Sequence, residues 1–193
     1  LWLAYQDGVL DKFDPYTQAF DLYKHDDRNP KSLSTDAAIS YYQDSKGIMW
    51  FGCINGGLVR YNSDTDDFTT YMNEPNNPKS LPDNFVSRIF EDSEGIFWVS
   101  TRGGTLCQFN RETGQVDKIY RPDANKPGSI PASNSIRYIV EDNENPDILW
   151  LAADYGGLFK FNKATDSFIA YPVDSTNPEA LHSNIIYHIY QDH

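Results

Sequence analysis

Along the chain, apolar residues come in short stretches of alternating polarity, cut every dozen residues or so by Gly or Pro. No window places them at i, i+3, i+4 and i+7, so strands are predicted and long helices are excluded. The stretches also repeat. "WFGCINGGLVRY" at 50–61 returns as "WVSTRGGTLCQF" at 98–109 and "WLAADYGGLFKF" at 150–161, and the chain opens with "WLAYQDGVLDKF". Counted between Trp2, Trp50, Trp98 and Trp150, the spacings are 48, 48 and 52 residues. Six residues after each Trp stands a glycine (Gly8, Gly56, Gly104, Gly156), eight after it a leucine (Leu10, Leu58, Leu106, Leu158) and eleven after it an aromatic (Phe13, Tyr61, Phe109, Phe161). Asp14, Asn62, Asn110 and Asn162 follow, then Thr17, Thr65, Thr113 and Thr165, then Phe20, Phe68, Val116 and Phe168.

Each recurring residue has a physical role. The glycine closes Asp7-Gly8, Asn55-Gly56, Gly103-Gly104 and Tyr155-Gly156, where a two-residue hairpin turn needs the positive φ that Gly, Asn and Asp take cheaply. The string N/D-x-x-T-x-x-F reads as an Asx turn feeding the next strand. Upstream, "YYQDSKGIMW" and "RIFEDSEGIFW" give an apolar strand, a turn closed by Gly47 or Gly95, and the Trp strand. Each period thus holds four short antiparallel strands, in the third copy 85–91, 96–101, 105–110 and 116–121. The fold class expected is all-β, a β-propeller of four-stranded antiparallel blades. The predicted boundaries are 37–72, 85–121 and 136–172 for blades 2 to 4, with blade 1 made of 1–23 plus a strand at 185–191. Two arrangements fit this count: a ring closed by pairing 185–191 with 1–5, or part of a larger propeller. The four extra residues of the 52-residue copy fall in "VDKIY", "SIPASNSIRYIVED" and "DNENPDILW".

Charge narrows the partners. A formal net charge of -12 repels phosphate backbones, so no nucleic acid is expected, and no apolar run is long enough for membrane insertion. The 39% hydrophobic content, with 13 Tyr, 11 Phe and 4 Trp, is too high for disorder. The opening residues show no signal peptide and read as the interior of a longer mature protein.

The connections between blades, "DDRNPKSLSTDAAISYYQD", "NEPNNPKSLPDNFVSRIFED" and "STNPEALHSNIIYHIYQD", carry a string NP-x-SL-x-x-N-x-V-x-x-I-x-ED-x-x-G-x-x-W. It resembles the two-component regulator propeller repeat, over essentially the whole chain. The resemblance implies the periplasmic sensor region of a hybrid two-component system, with seven-bladed propellers ahead of an immunoglobulin-like domain, a membrane helix and a histidine kinase. It also implies glycan fragments as signals and a homodimer in the parent protein. The third copy departs with "NKPGSIPASNS" and the fourth with "EAL" for "KSL", both in loops.

Catalytic residues, metal ligands and cofactors are not expected. Asp44, Asp92, Asp142 and Asp192 recur in every copy, with Glu91 and Glu141 beside two of them, and read as turn holders. "EDSEGIFW" misses the Asp-box of sialidase-type propellers by one residue of spacing. His182, His188 and His193 lack the Cys or carboxylate set of a metal site. Cys53 and Cys107 read as buried free thiols. Asp36, Asn84, Asn134 and Asn184 read as loop caps.

Candidate binding residues come from the first strand of each blade. Four residues before the turn Asp stand Ser40, Arg88, Tyr138 and His188, and five before it Ile39, Ser87, Arg137 and Tyr187, between positions that stay apolar. Strand alternation puts the long loops between blades and the hairpins carrying Asn55, Arg102 and Tyr155 on one face. Arg88, Arg102 and Arg137 would form a basic site for a carboxylate or sulfate, with Tyr138 and Tyr155 as flat faces for a sugar ring and His188 beside them. Alternatively each Arg is neutralised by an acid such as Glu91, Asp92 or Glu141. Two functions fit: a ligand-sensing propeller signalling through domain packing, or a non-catalytic structural propeller for dimerisation or protein docking.

Overall fold

The computed structural model describes residues 1–5, 9–34 and 37–192. The predicted Asp7-Gly8 turn, the Asp36 cap and His193 lie outside them. Among the described residues the chain is all-β apart from one 3-10 turn at Arg102–Gly104. Strands β1 (Trp2–Ala4), β2 (Leu10–Asp14) and β3 (Ala19–Tyr23) form a three-stranded sheet, and β4 (Ala38–Gln43), β5 (Met49–Cys53), β6 (Leu58–Asn62) and β7 (Asp67–Tyr71) a four-stranded one. Two further four-stranded sheets follow: β8 (Val86–Glu91), β9 (Phe97–Thr101), β10 (Thr105–Asn110) and β11 (Gln115–Tyr120), then β12 (Ser135–Glu141), β13 (Ile148–Asp154), β14 (Gly157–Asn162) and β15 (Ser167–Tyr171). Spatial order follows chain order in every sheet, as in a blade. The chain divides into two compact units, Leu1–Ile89 and Phe90–His193.

The recurrent turn aspartates hold their turns. Asp44 Oδ1 accepts from the N–H groups of Lys46 and Ile48, and its Oδ2 accepts from the Trp50 indole at 2.9 Å. Asp92 repeats this with Glu94, Ile96 and Trp98, and Asp142 with Glu144, Asn145 and Trp150. One carboxylate therefore closes the turn and pins the tryptophan of the next strand. The indole bond holds the Asp142 carboxyl below the usual carboxylate range. Gly47 and Gly95, both at φ 80°, supply the left-handed residue the turn requires.

Inside each unit, neighbouring sheets pack through the same constellation. In the first, Trp2 meets Phe51 and Tyr61 edge-on at 5.2 and 4.8 Å, and Tyr23 meets Phe68 at 5.4 Å. In the second, Trp98 meets Phe161 edge-on at 5.6 Å, and Tyr120 meets Phe161 and Phe168 at 5.0 and 5.6 Å. Edge-to-face rings gain electrostatically beyond the area they bury. The Tyr23 and Tyr120 hydroxyls donate to Asp66 and Asp166, each at 2.7 Å. Those aspartates sit at φ 53° and 52° in the turn after the Asn of the N-x-x-T motif.

The NP-x-SL loops serve as plugs. Asn29, Asn77 and Asn177 each accept, through the side-chain oxygen, from the N–H two residues on. Ser32 and Ser80 then cap the loop start, and Leu33, Leu81 and the equivalent Ile130 are fully buried. Lys31 O and Gly128 O accept from the N–H groups of Phe68 and Phe168, tying each loop to the last strand of the following sheet.

Over 185–191 the predicted strand is not formed. A first strand of a blade ladders with the strand after it, as β4 does with β5 and β12 with β13, and no such ladder is formed by 185–191 among the described residues. The segment is held instead by one backbone bond, Ile186 N–H to Ala153 O of β13, and by side chains, with the His188 and Tyr138 rings 4.0 Å apart and Asn143 N–H donating to Gln191 Oε1.

Two predictions test this architecture. Asp44→Ala leaves the buried Trp50 indole and two turn N–H groups short of an acceptor, so unfolding free energy drops by about 2–4 kcal/mol in urea titration, against under about 0.5 for the exposed Asp64→Ala. Cys53 and Cys107 are free and buried, and burial pushes both thiols up to about 12. A thiol-disulfide reagent at neutral pH should therefore titrate neither in the native protein and both after denaturation.

Candidate functional site

The hairpins between the second and third strands of the three four-stranded sheets have three residues in the loop, not two. Ala153 pairs with Gly157, Thr101 with Thr105, and Cys53 N–H donates to Gly57 O. The residue five after the Trp takes the left-handed conformation: Asn55 at φ 58°, Gly103 at 75° and Tyr155 at 59°. Gly156, by contrast, has an ordinary φ, and a Cβ there would lie 2.6 Å from the Phe159 ring and 2.8 Å from Ser133 Cβ. Its role is close approach, and only crowding read from the fold could have shown that. Asn and Gly take a left-handed φ at little cost; an aromatic residue does not. Tyr155 nevertheless stands there, 60% exposed.

The loops and hairpins do share a face. Asn84 O, Asn134 O and Asn184 O accept from the N–H groups of Gly57, Gly103 and Gly157, at 2.8, 2.8 and 2.9 Å. Asn134 N–H in turn donates to Asp154 O, so one residue's backbone bridges the hairpin of Arg102 to that of Tyr155. Asn84 also caps through its side chain, accepting from Asn73 N–H at 2.6 Å.

The first strands carry a β-bulge that the sequence pattern did not reveal. The β4–β5 register skips between Ala38 and Ser40, and the β12–β13 register between Ile136 and Tyr138, so Ile39 and Arg137 are the extra residues. A bulge leaves its residue outside the ladder and re-aims its side chain. Ile39 and Arg137 are both exposed, while Ser40 is buried. Arg137 donates to Asp154 Oδ2 at 2.9 Å and lies over the exposed Tyr187 ring at 4.9 Å.

In the second unit Arg137 is thus bonded to Asp154, Tyr138 meets His188, and Tyr155 follows Asp154 in the hairpin, with Arg102 exposed on the hairpin bonded to Asn134. Arg88 stands half-buried on β8. Arg137 is neutralised by Asp154, an acid other than those proposed as partners from the sequence. Glu91 pairs with Arg111, while Lys163, buried to 6%, gathers Asp92, Glu94 and Glu141 at 2.9, 2.8 and 3.3 Å. Burial pulls the Lys163 ammonium down, but bonds to Glu94 and Asp92 outweigh this and hold it above the ordinary lysine value. Sequence analysis named Tyr187 among the variable first-strand positions but missed Asp154, which repeats in no other copy.

Residues 80–103 match the model of the family described as two component regulator propeller. No curated protein sequence matches the chain. Among solved structures, the extracellular domain of the hybrid two component system BT3049 from B. thetaiotaomicron is similar at 22% identity and a TM-score of 0.73, over 89% of this chain and 23% of that one. The extracellular domain of the hybrid two component system BT4673 from B. thetaiotaomicron is similar at 24% and 0.76, over 99% and 23%. U3-55K is similar at 9% and 0.60, over 88% and 47%. The chain therefore spans under a quarter of the length of the first two. No helix among the described residues is long and apolar enough to cross a membrane. The segment at 80–103 is thus a two component regulator propeller repeat, and the chain that carries it is built of β-propeller blades.

Proposed function

We propose that the chain is a ligand-sensing part of the periplasmic region of a hybrid two-component system, without catalytic activity, and that its second unit binds a glycan fragment. The support for the setting is the matched repeat and the likeness to two extracellular domains of such systems. The observation that carries the binding site is Tyr155. At the position where other blades place Asn55 and Gly103, the left-handed φ that the hairpin requires is taken by an exposed tyrosine, a residue for which it is costly and which the turn itself does not call for. Arg137, displayed by the bulge, and Asp154, the residue before Tyr155, add paired donors and acceptors, and Tyr187 under the Arg137 guanidinium adds a second flat face.

This pairing changes the expected chemistry. With its charge matched by Asp154, Arg137 offers hydrogen bonds without net positive charge, which favours hydroxyl groups of a neutral sugar over a carboxylate or sulfate. Arg102 lies on the neighbouring hairpin, whose Gly103 N–H donates to Asn134 O. Ligand occupancy would reach a kinase by favouring one packing of the propeller on an adjoining immunoglobulin-like domain or a second protomer, which requires unequal affinity for the two arrangements.

Thermal unfolding in the presence of neutral, uronic and sulfated oligosaccharides tests this reading on both this chain and the longer protein. A neutral class should raise the unfolding midpoint, by an amount equivalent to about 2.7 kcal/mol at a hundredfold excess over Kd. Tyr155→Gly should lose that response while becoming more stable without ligand by roughly 1–2 kcal/mol, as left-handed strain is relieved. Arg137→Ala should lose the response too. Retention of the full shift by Tyr155→Gly, or no shift from any class on either protein, would overturn the assignment.

A further inference from the structure

The loop after β3 in the first unit and the loop after β11 in the second are built alike. Lys31 O and Gly128 O accept from the N–H groups of Phe68 and Phe168, and Asn29 N–H and Lys126 N–H donate to Asp26 O and Asp123 O. Tyr23 and Tyr120 donate to Asp66 and Asp166. These shared bonds fix which residues correspond. Lys118 stands where the first unit has Asp21, Arg121 where it has Lys24, Lys126 where it has Asn29 and Gly128 where it has Lys31.

The differences reverse the local charge. In the first unit Asp21, Asp66 and Asp67 occupy these places beside Lys24 and Lys31, and Lys31 is bonded to Asp67 at 2.8 Å. In the second, Lys118, Arg121 and Lys126 line one hollow, with Asp166 as the acid in its wall. Asp166 is bonded to Lys118 and to the Tyr120 hydroxyl. Those two bonds hold its carboxyl below the ordinary carboxylate range, and Lys126 adds to this through space, as an ammonium facing the same hollow would. Arg121 and Lys126 themselves make no side-chain hydrogen bond or salt bridge among the described residues. Asp123, at the loop start, accepts from Asn125 N–H. A chain of net charge -12 thus keeps two cations without a bonded acid in one hollow.

Space is left for a partner to them. Where Lys31 reaches Asp67 in the first unit, Gly128 and Ser167 bring no long side chain, and a Cβ on Gly128 would meet Ser167 alone, at 3.4 Å. The hollow measures about 150 Å³, below the roughly 300–1,000 Å³ of pockets that enclose a drug-sized ligand. It suits one charged group, not a whole sugar chain.

We propose that this hollow binds a single oxyanion group, a sulfate ester or a carboxylate, on a ligand whose remainder lies outside it. Arg121 supplies paired donors that match a multi-oxygen anion, and Lys126 supplies a point charge. The site shares no residue with the Tyr155 hairpin and does not rest on that assignment.

Titration of the whole chain with sodium sulfate and with sodium acetate, each at fixed ionic strength and followed by amide NMR, tests this. Saturable shifts should appear within residues 118–130 for at least one of the two anions, and the anion that saturates tells a sulfate-ester site from a carboxylate site. Arg121→Met and Lys126→Asn install the residues found at these places after β7, Met72 and Asn77. The double variant should therefore keep the wild-type unfolding midpoint while its Kd rises at least about tenfold. Tyr155→Gly should leave both titrations unchanged. No saturable shift within 118–130 from either anion, an unchanged Kd in the folded double variant, or loss of the shifts in Tyr155→Gly would overturn the proposal.

Discussion

A buried carboxylate bonded to a tryptophan indole is the interaction on which each blade depends. The turn before the Trp strand must present two N–H groups to something, and the indole at the blade's centre must have an acceptor if it is to be buried. Asp44 and Asp92, both nearly sealed from solvent, meet the two needs with one side chain. Without that acceptor the tryptophan would have to turn its N–H to water and abandon the stacking by which sheets join. The turn geometry and the packing between sheets are therefore one constraint, which is why Asp and Trp recur together.

Given fixed tryptophans, the seams between sheets are assembled by copying. Trp, Leu and Tyr on one face and a pair of rings on the next form a unit that needs no long-range information beyond the repeat length. Charges are added at the seams locally. Lys163 closes one seam by gathering three carboxylates, and the corresponding position in the preceding copy is Arg111, bonded to Glu91. Buried acids in a chain of net charge -12 are thus tolerated because each is met by a cation or a set of N–H donors.

What the sequence made legible is what recurs. Strand order, the Asp turns and the loop plugs each appear three or four times, and repetition separates a structural role from chance at those positions. The hairpin was misjudged for a physical reason: a glycine needed for φ and one needed for closeness look identical in sequence, and Gly156 is of the second kind. The bulge was hidden because one extra residue in a strand preserves the apolar flanks, Ile136 and Ile139, that defined it. The tail at 185–191 has a strand's pattern, but a ladder also needs a partner, and pattern carries no record of one. Asp154 was missed because it joins Arg137 across 17 positions by folding alone.

Those unrepeated residues are where the blades stop being equivalent. A position that must be Asp, Trp or Gly for every blade has no freedom to acquire a ligand, whereas a bulged residue outside the ladder does, and Ile39 and Arg137 show that freedom in use. Once Arg137 is displayed, the acidic surroundings bear on its fate: an unmatched guanidinium would attract carboxylates from the protein itself before any from outside. Asp154 is such a carboxylate, and the pair it makes is polar, planar and close to neutral. The next residue, Tyr155, is exposed and held at a left-handed φ by the hairpin, so an apolar surface follows the pair directly in the chain. On the reading proposed here, a hydroxyl-bearing ring, apolar on its face and polar at its rim, suits a matched ion pair followed by an exposed aromatic better than an anion does.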